Sequence, residues 1–328
     1  MSRGTAIGLL GDVMLGRGVA TELVCRRPEE LWDPGLRTLA ASLDLMLCNL
    51  ECCLSSRGRP TTRIPAKPFF FRGPPAAVGA LRAVGVRAVG LANNHALDFG
   101  PQALADTLAS LGEAGIAAAG AGHGPGASRR AAVVSAGDVR VGLVAVADHP
   151  AEYAATPRAW GIAYAELRAG PPDWLVREIA AARERCDVVV AFPHWGANMT
   201  TRPVAWQRDV AAMLQAAGAD LVAGHSAHLF HGVGWTSRGP VLYDLGDALD
   251  DYSTDPVRRN DLGLLAIWRP GTGDDQLQLV GLRLEYARTR LAAGADAEWI
   301  AARLGRACGK LGARVERIGE EIFGVHEA

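Results

Sequence analysis

Three short apolar runs in this 328-residue chain each empty directly into a histidine. Residues 86–92 lead to Asn93-Asn94-His95, residues 188–193 to His194-Trp195-Gly196, and residues 221–224 to His225-Ser226-Ala227-His228. Two further runs end in acidic groups: residues 6–11 in Asp12, and residues 43–48 in Asn49-Leu50-Glu51. Neutral imidazole binds transition metals, and carboxylates add the negative charge that holds a divalent ion. The candidate ligands are therefore Asp12, Glu51, Asn94, His194, His225 and His228, with Asn49 beside them. One or two divalent ions (Mn, Zn, Fe or Ca) held there would activate a water for attack on a phosphoryl or carbonyl centre. A single histidine after a strand more often packs than ligates. Five of the eight histidines (His95, His194, His225, His228, His231) fall in these three segments, however, and that concentration points to one shared site.

Other groups nearby have substrate-binding chemistry. Arg17, Lys67 and Arg72 are cations suited to carboxylate or phosphate, while Trp195 and Asn198 follow His194 closely. Asp98, three residues after His95, either orients that imidazole or caps the next helix. Asp247, Asp250 and Asp251 line a loop before Tyr252. His149, in Asp148-His149-Pro150, stays open between ligand and packing group. Cys52 and Cys53 read as reduced, packed thiols, since no recurring CxxC spacing marks a zinc site.

The elements that must position these residues alternate along the chain. Residues 43–48, 86–93, 116–119, 188–193, 221–224, 241–245, 264–268 and 276–284 read as strands. Residues 76–84, 102–114, 171–185, 204–217 and 296–308 carry apolar groups at helical spacing. Residues 131–134 and 139–147 alternate around Gly137-Asp138 as a hairpin. Residues 55–75 form a long loop, and Phe69-Phe70-Phe71 within it predicts ordering over a cleft, because a solvated loop needs no such cluster. Residues 120–126 read as a glycine-rich loop without the order of a phosphate cradle. Strand–helix alternation mixed with hairpins predicts an α/β protein, layered, with sheets that carry parallel and antiparallel strands. Ligands in such sheets gather beyond the carboxyl ends of strands, where all five polar clusters fall.

Taken together, Gly11-Asp12-Val13-Met14-Leu15-Gly16-Arg17, Asn49-Leu50-Glu51, Ala92-Asn93-Asn94-His95-Ala96-Leu97-Asp98-Phe99-Gly100, His194-Trp195-Gly196, Gly224-His225-Ser226-Ala227-His228 and Gly246-Asp247 resemble the CapA family. These are the poly-γ-glutamate capsule synthesis proteins, a branch of the calcineurin-like metallophosphoesterases. The resemblance implies a four-layer α/β/β/α sandwich of the metallo-dependent phosphatase type, in one domain over 1–328. Its core would span 6–268, with a C-terminal strand and helix extension over 269–328. It implies Asp12 as the first metal-binding aspartate, Glu51 at the bridging position, Asn94 as metal-binding asparagine and His95 as general acid. His194, His225 and His228 match the late histidine ligands. Met14 stands where phosphoesterases usually carry a histidine, and His225 and His228 are spaced His-x-x-His where the superfamily has His-x-His.

The implied activity is a metal-dependent hydrolase or transferase acting on a γ-glutamyl or peptide-like amide, or on a phosphoester. Two alternatives stand beside it: a metal-dependent epimerase that moves a Cα proton, and a non-catalytic factor of poly-γ-glutamate or capsule assembly. The expected partner is a small or peptide-like acidic substrate. A near-neutral balance of 34 basic and 35 acidic residues offers no footprint for nucleic acid or an anionic membrane. No segment approaches the ~20 apolar residues of a membrane span, and the expected location is cytoplasmic.

Overall fold

A computed structural model describes residues 4–271 and 277–328. Among the described residues the larger sheet runs Ala313–Arg317, Ile322–Glu327, Leu277–Glu285, Leu262–Trp268, Ile7–Val13, Leu45–Leu50, Val86–Gly90, Ala117–Ala119. The last four of these strands are parallel and the others antiparallel. The smaller sheet runs Val233–Thr236, Gly239–Leu242, Leu221–Ala223, Val188–His194, Val139–Ala147, Ala132–Ala136, with parallel pairings at its centre and an antiparallel pair at each edge. The protein is thus α/β with mixed sheets, as its alternating elements predict.

Period-two alternation sorts the smaller sheet's side chains between two cores. Leu143, Val190 and Phe192 join Leu9, Leu47 and Val89 of the larger sheet in one buried cluster. Val144, Val189 and Ala191 point the other way, onto Leu175 and Ile179 of the helix Asp173–Arg185 and Val210 and Leu214 of the helix Ala205–Ala216. Strands covered on both faces must read as continuous apolar runs, which is why those runs stand out in the sequence.

Several expectations change in detail. The glycine-rich stretch 120–126 is not a loop: Ala121–His123 pairs with Trp160–Ile162, and a short helix, Gly124–Ser128, follows. A Cβ on Gly122 would lie 2.8 Å from Ala127 Cβ, so that glycine permits strand–helix contact and cradles nothing. The long loop returns as a strand at Arg72–Gly73, paired with Cys53–Leu54. Gln276, at the start of the strand expected over 276–284, lies outside the described residues, and the strand observed is Leu277–Glu285. The C-terminal segment is more than one strand and a helix. Leu277–Glu285, Arg288–Leu291, Ala313–Arg317 and Ile322–Glu327 extend the larger sheet, with the helix Ala295–Gly309 between them. Arg288–Leu291 and Ala313–Arg317 each hold two or more charged groups in a short span, which hid their pattern.

Candidate metal centre

Strand register assembles the site. Asp12 pairs with Asn49 on one side and with Asp247 on the other, and Asn49 pairs with Gly90. His194, the last residue of its strand, bridges to His225. Gly11 makes this row possible: the neighbouring backbone comes so close that a Cβ there would lie 1.7 Å from the Gly246 carbonyl oxygen. That carbonyl accepts the Asp12 N–H at 3.1 Å. Ser226 and His228 hold positive φ (105° and 57°), a conformation that costs non-glycine residues about 1–3 kcal/mol and is retained where surrounding contacts impose it.

Asp12, Glu51, His228 and Asp247 are all buried and offer ligand atoms within 4.8 Å of one another. His228 Nδ1 lies 2.8 Å from Asp247 Oδ1, 3.8 Å from Asp12 Oδ2 and 3.9 Å from Glu51 Oε2. Around the same carboxylates, His225 Nδ1 approaches Asp12 Oδ1 at 3.6 Å and His194 Nε2 approaches Glu51 Oε1 at 3.7 Å. Both Glu51 oxygens, both His225 nitrogens, Asn94 Oδ1 and Asp247 Oδ2 are buried without a hydrogen-bond partner. Buried polar atoms are almost always paired. Five of these orphaned atoms of ligand type, on Glu51, His225 and Asp247, gather around one group of carboxylates, so the residues present fit a divalent ion.

Electrostatics agree. Burial, with Asp12 and Asp247 adding to it, pushes the Glu51 carboxyl well above its usual range. Burial likewise raises Asp12 to about 7, with His228 opposing. For His228 burial works against the imidazolium, but Asp247, Glu51 and Asp12 outweigh it and the ring is held protonated well above the ordinary value. Burial pushes His225 down to about 3 and His194 also well below the ordinary range, which leaves their lone pairs free. A divalent ion must therefore displace protons from the carboxylate–His228 group. The expected result is metal affinity that rises between pH 6 and 8, by about tenfold per pH unit for each proton released. Calorimetric titration in buffers of different ionisation enthalpy counts those protons, and a pH-independent affinity would remove these residues from the ligand set.

His95 stands at the rim of this group, with Nε2 4.0 Å from Glu51 Oε1 and Nδ1 2.6 Å from Asp98 Oδ2. Asp98 therefore orients the imidazole and does not cap the helix Gly100–Glu113, whose N-cap position is Phe99. The Phe71 ring stacks on His95 at 3.9 Å, and the Phe71 N–H donates to Asp98 Oδ2 at 2.7 Å. The aromatic loop is thus ordered over the site through Phe71, while Phe69 is exposed. Lys67 is buried too: its Nζ lies 3.3 Å from Asp98 Oδ1 and donates to the Asn94 carbonyl at 2.9 Å. Arg17 sits at the edge, 3.3 Å from Asp251 Oδ2, with its guanidinium 5.7 Å from the Phe71 ring centroid.

Four expected substrate contacts are placed otherwise. Asn49 is buried and donates from Nδ2 to Asp12 Oδ1 at 2.7 Å, which makes it a strut for a ligand. Arg72 spends Nη1 on the Arg57 and Gly58 carbonyls and lies over the Phe99 ring. Trp195 is a core residue, its Nε1 donating to the Tyr243 carbonyl at 3.1 Å and its ring edge-on to Trp206. Asn198 is exposed on the turn beyond. Trp195→Ala is expected to cost about 3–5 kcal/mol in denaturant unfolding, the range for deleting a buried tryptophan; a fully stable variant with altered substrate affinity would restore Trp195 to the site.

Asp247 belongs to the candidate cation group and was not among the ligands expected from the sequence. Its signal was weaker, because the strand-like run 241–245 is itself interrupted by Asp244 and reaches Asp247 only after Gly246. Met14 turns its sulfur back to the Gly16 N–H at 3.0 Å, so it leaves no ligand at the position where a histidine was expected. His149 contacts Asp148 and lies 5.4 Å, ring to ring, from His194. His231 bonds the Thr200 carbonyl. The Cys52 sulfur accepts the Leu15 N–H, the Cys53 thiol donates to the Phe71 carbonyl, and burial pushes Cys53 up to about 12.

A buried carboxylate–histidine group at strand ends in an α/β protein with mixed sheets defines a candidate metalloprotein. The chain belongs to the family described as "Bacterial capsule synthesis protein PGA_cap", which it matches over residues 6–252. It is 33% identical to a "probable polyglutamine synthesis accessory protein" of Mycobacterium tuberculosis, across 87% of this chain and 78% of that one. It is 25% identical to the capsule biosynthesis protein CapA of Bacillus anthracis, across 84% of this chain and 67% of that one. A crystal structure of a hypothetical protein from Thermus thermophilus is similar at TM-score 0.46 and 16% identity, over 87% of this chain and 96% of that one. Among the described residues no helix is long and apolar enough to cross a membrane.

Proposed function

We propose that this chain is a metal-dependent hydrolase or transferase that acts on a γ-glutamyl or other peptide-like amide, with phosphoesters as the alternative substrate class. The observation that carries the reading is the Asp98–His95 pair aimed at the orphaned Glu51 carboxylate, 2.6 Å on one side of the imidazole and 4.0 Å on the other. We also take the two mixed sheets and their helices as the four-layer α/β/β/α sandwich of metallo-dependent phosphatases, in one domain over 1–328. Asp12, Glu51, Asn94, His194, His225, His228 and Asp247 would hold one or two ions. A divalent ion bound there supplies Lewis acidity and a water acidic enough to act as nucleophile near neutral pH.

The chain's own groups do the rest. Asp98 accepts from His95 Nδ1, which leaves Nε2 as the bare nitrogen of the neutral ring. Burial pushes this imidazole down to about 4 against the pull of Asp98, so at neutral pH Nε2 first accepts a proton from the attacking water. The imidazolium so formed, paired with Asp98, then delivers that proton to the leaving nitrogen or oxygen. Arg17 at the rim favours an acidic substrate. The names carried by the relatives, capsule biosynthesis and polyglutamine synthesis, fit a glutamyl amide.

The test is a turnover assay of metal-loaded protein on γ-glutamyl anilide and aryl phosphate. Anilide cleavage is expected, reduced at least ~100-fold in His95→Gln at unchanged metal content. Solvent deuterium entering Cα without cleavage would establish epimerisation in its place, and silence toward both substrates at full metal loading would sink the catalytic reading.

A further inference from the structure

Away from the metal centre, the loop before the helix Ala205–Ala216 and the helix Ala295–Gly309 enclose a cavity of about 790 Å³, within the range of ligand-binding clefts. Arg202 and Arg208 come from one wall, and Arg303, Arg306 and Lys310 from the other, with Trp299 between them. No acidic residue lines it, and among the described residues none of these five cations forms an ion pair. Arg303 is the most enclosed. Its Nη2 donates to the Phe230 carbonyl at 2.8 Å and its Nη1 to the Arg258 carbonyl at 3.1 Å, which fixes the guanidinium without neutralising it. A chain with nearly balanced charge has gathered into one cleft five cations without a direct ion pair, Arg303 alone feeling a buried acid, Asp244.

We propose that this cleft is a binding site for a polycarboxylate chain, a run of glutamyl residues, separate from the metal centre. Three features favour a chain over a single anion. Arg303, Arg306 and Lys310 recur at three- and four-residue spacing, so their row runs about 10 Å along the helix. Arg202 and Arg208 form a second bank across the cavity, and the part of Trp299 that lines it, its ring already facing the Arg303 guanidinium at 5.3 Å, offers an apolar surface for the methylenes between carboxylates. The cleft is also tied to the metal centre. Gly232 packs so tightly that a Cβ would lie 2.5 Å from Ala307 C, and the Val233 N–H donates to Cys308 Sγ at 3.2 Å. His231 bonds the Thr200 carbonyl next to the rim, and the Met199 N–H bonds the Ala227 carbonyl in the histidine loop. A polymer seated here is therefore held next to the segment that carries His225 and His228. One wall belongs to residues beyond 252, where the family match ends.

The inference rests on the functional reading above for the choice of glutamyl carboxylates and for the γ linkage of the probe, and binding is measured apart from turnover so that the two can fail separately. The probe is a γ-linked glutamyl octamer, titrated calorimetrically into the metal-loaded full chain at two salt concentrations, with tripolyphosphate and a short oligonucleotide as competitors. The octamer is expected to bind, to weaken as salt rises, and to lose at least ~10-fold in affinity in Arg306→Glu/Lys310→Glu and again in Arg202→Glu, all exposed positions whose variants keep the unfolding temperature. Octamer binding unchanged by both variants, or no binding by the wild type, overturns the proposal. Tighter binding of tripolyphosphate or oligonucleotide than of the octamer overturns it as well, in favour of a phosphate-polymer site.

Discussion

Replacing Glu51 with glutamine is expected to weaken divalent-metal affinity more than ~100-fold while making the metal-free protein more stable at alkaline pH. Even hydrogen-bond partners of metal ligands are worth 10–100-fold in affinity, and Glu51 is a proposed direct ligand, with His194 at 3.7 Å and His228 at 3.9 Å from its oxygens. The stability gain follows from the same geometry. Glu51 is buried, both its oxygens lack partners, and burial holds its carboxyl well above the ordinary carboxylate range. A group whose folded-state pKa is raised contributes stability that is complete below its unfolded pKa and is lost as pH rises. The variant should therefore match the wild type near pH 4 and exceed it increasingly toward pH 8, by about 1–2 kcal/mol there, because the buried amide keeps a smaller unsatisfied cost than the charge. Added metal reverses the order, since only the wild type gains binding free energy. Metal content by elemental analysis and melting curves across pH, with and without chelator, measure both halves. A variant that keeps full metal content and melts below the wild type at pH 8 would show that Glu51 is not a ligand.

The candidate carboxylate–histidine group was largely legible in the sequence because the same physics writes both patterns. Strands covered on both faces must be continuously apolar, and chemistry in such sheets sits at their carboxyl ends, so Asp12, His194 and His225 are marked by where the apolar runs stop. What sequence order could not show is register. Asn49 and Glu51 differ by two residues, yet pairing turns Asn49 into a strut on Asp12 and leaves Glu51 facing the ligands. Trp195, adjacent to a candidate ligand, points into the other core because side chains alternate between the two faces along an extended segment. Asp247 needed knowledge that its segment would lie parallel beside Asp12. The basic cleft was invisible for a different reason: a net charge averages over the chain, and Arg202 and Lys310 meet only through folding.

Asp98→Asn is expected to reduce turnover about 10²–10⁴-fold, the usual reach of general acid–base groups, while metal content stays at the wild-type level. Both oxygens of Asp98 accept. Oδ2 takes His95 Nδ1 at 2.6 Å and the Phe71 N–H at 2.7 Å, and Oδ1 takes the Tyr153 hydroxyl at 3.2 Å and faces Lys67 Nζ at 3.3 Å. An asparagine cannot satisfy both sides. With its oxygen toward His95 it turns NH2 onto the lysine cation; with its NH2 toward His95 it opposes the Phe71 N–H and forces the proton to Nε2, the wrong nitrogen for accepting one. Either way the buried Lys67 loses its counter-charge, and removing one partner of a buried pair costs about 3–5 kcal/mol, so the melting temperature falls too. A structural role alone would stop there. The positioning role has a further signature, because Asp98 raises the His95 imidazole against burial. Without that charge the imidazole titrates at lower pH, and since the neutral ring is the active form, the acidic limb of the pH–rate profile moves to lower pH even as the maximum rate drops. Lys67→Met separates the two effects: it breaks the same ion pair but leaves Asp98 on His95, so it should lower stability with a far smaller loss of turnover. Equal rate losses in the two variants, with no shift of the acidic limb in Asp98→Asn, would reduce Asp98 to a packing group and remove the basis for His95 as the proton carrier.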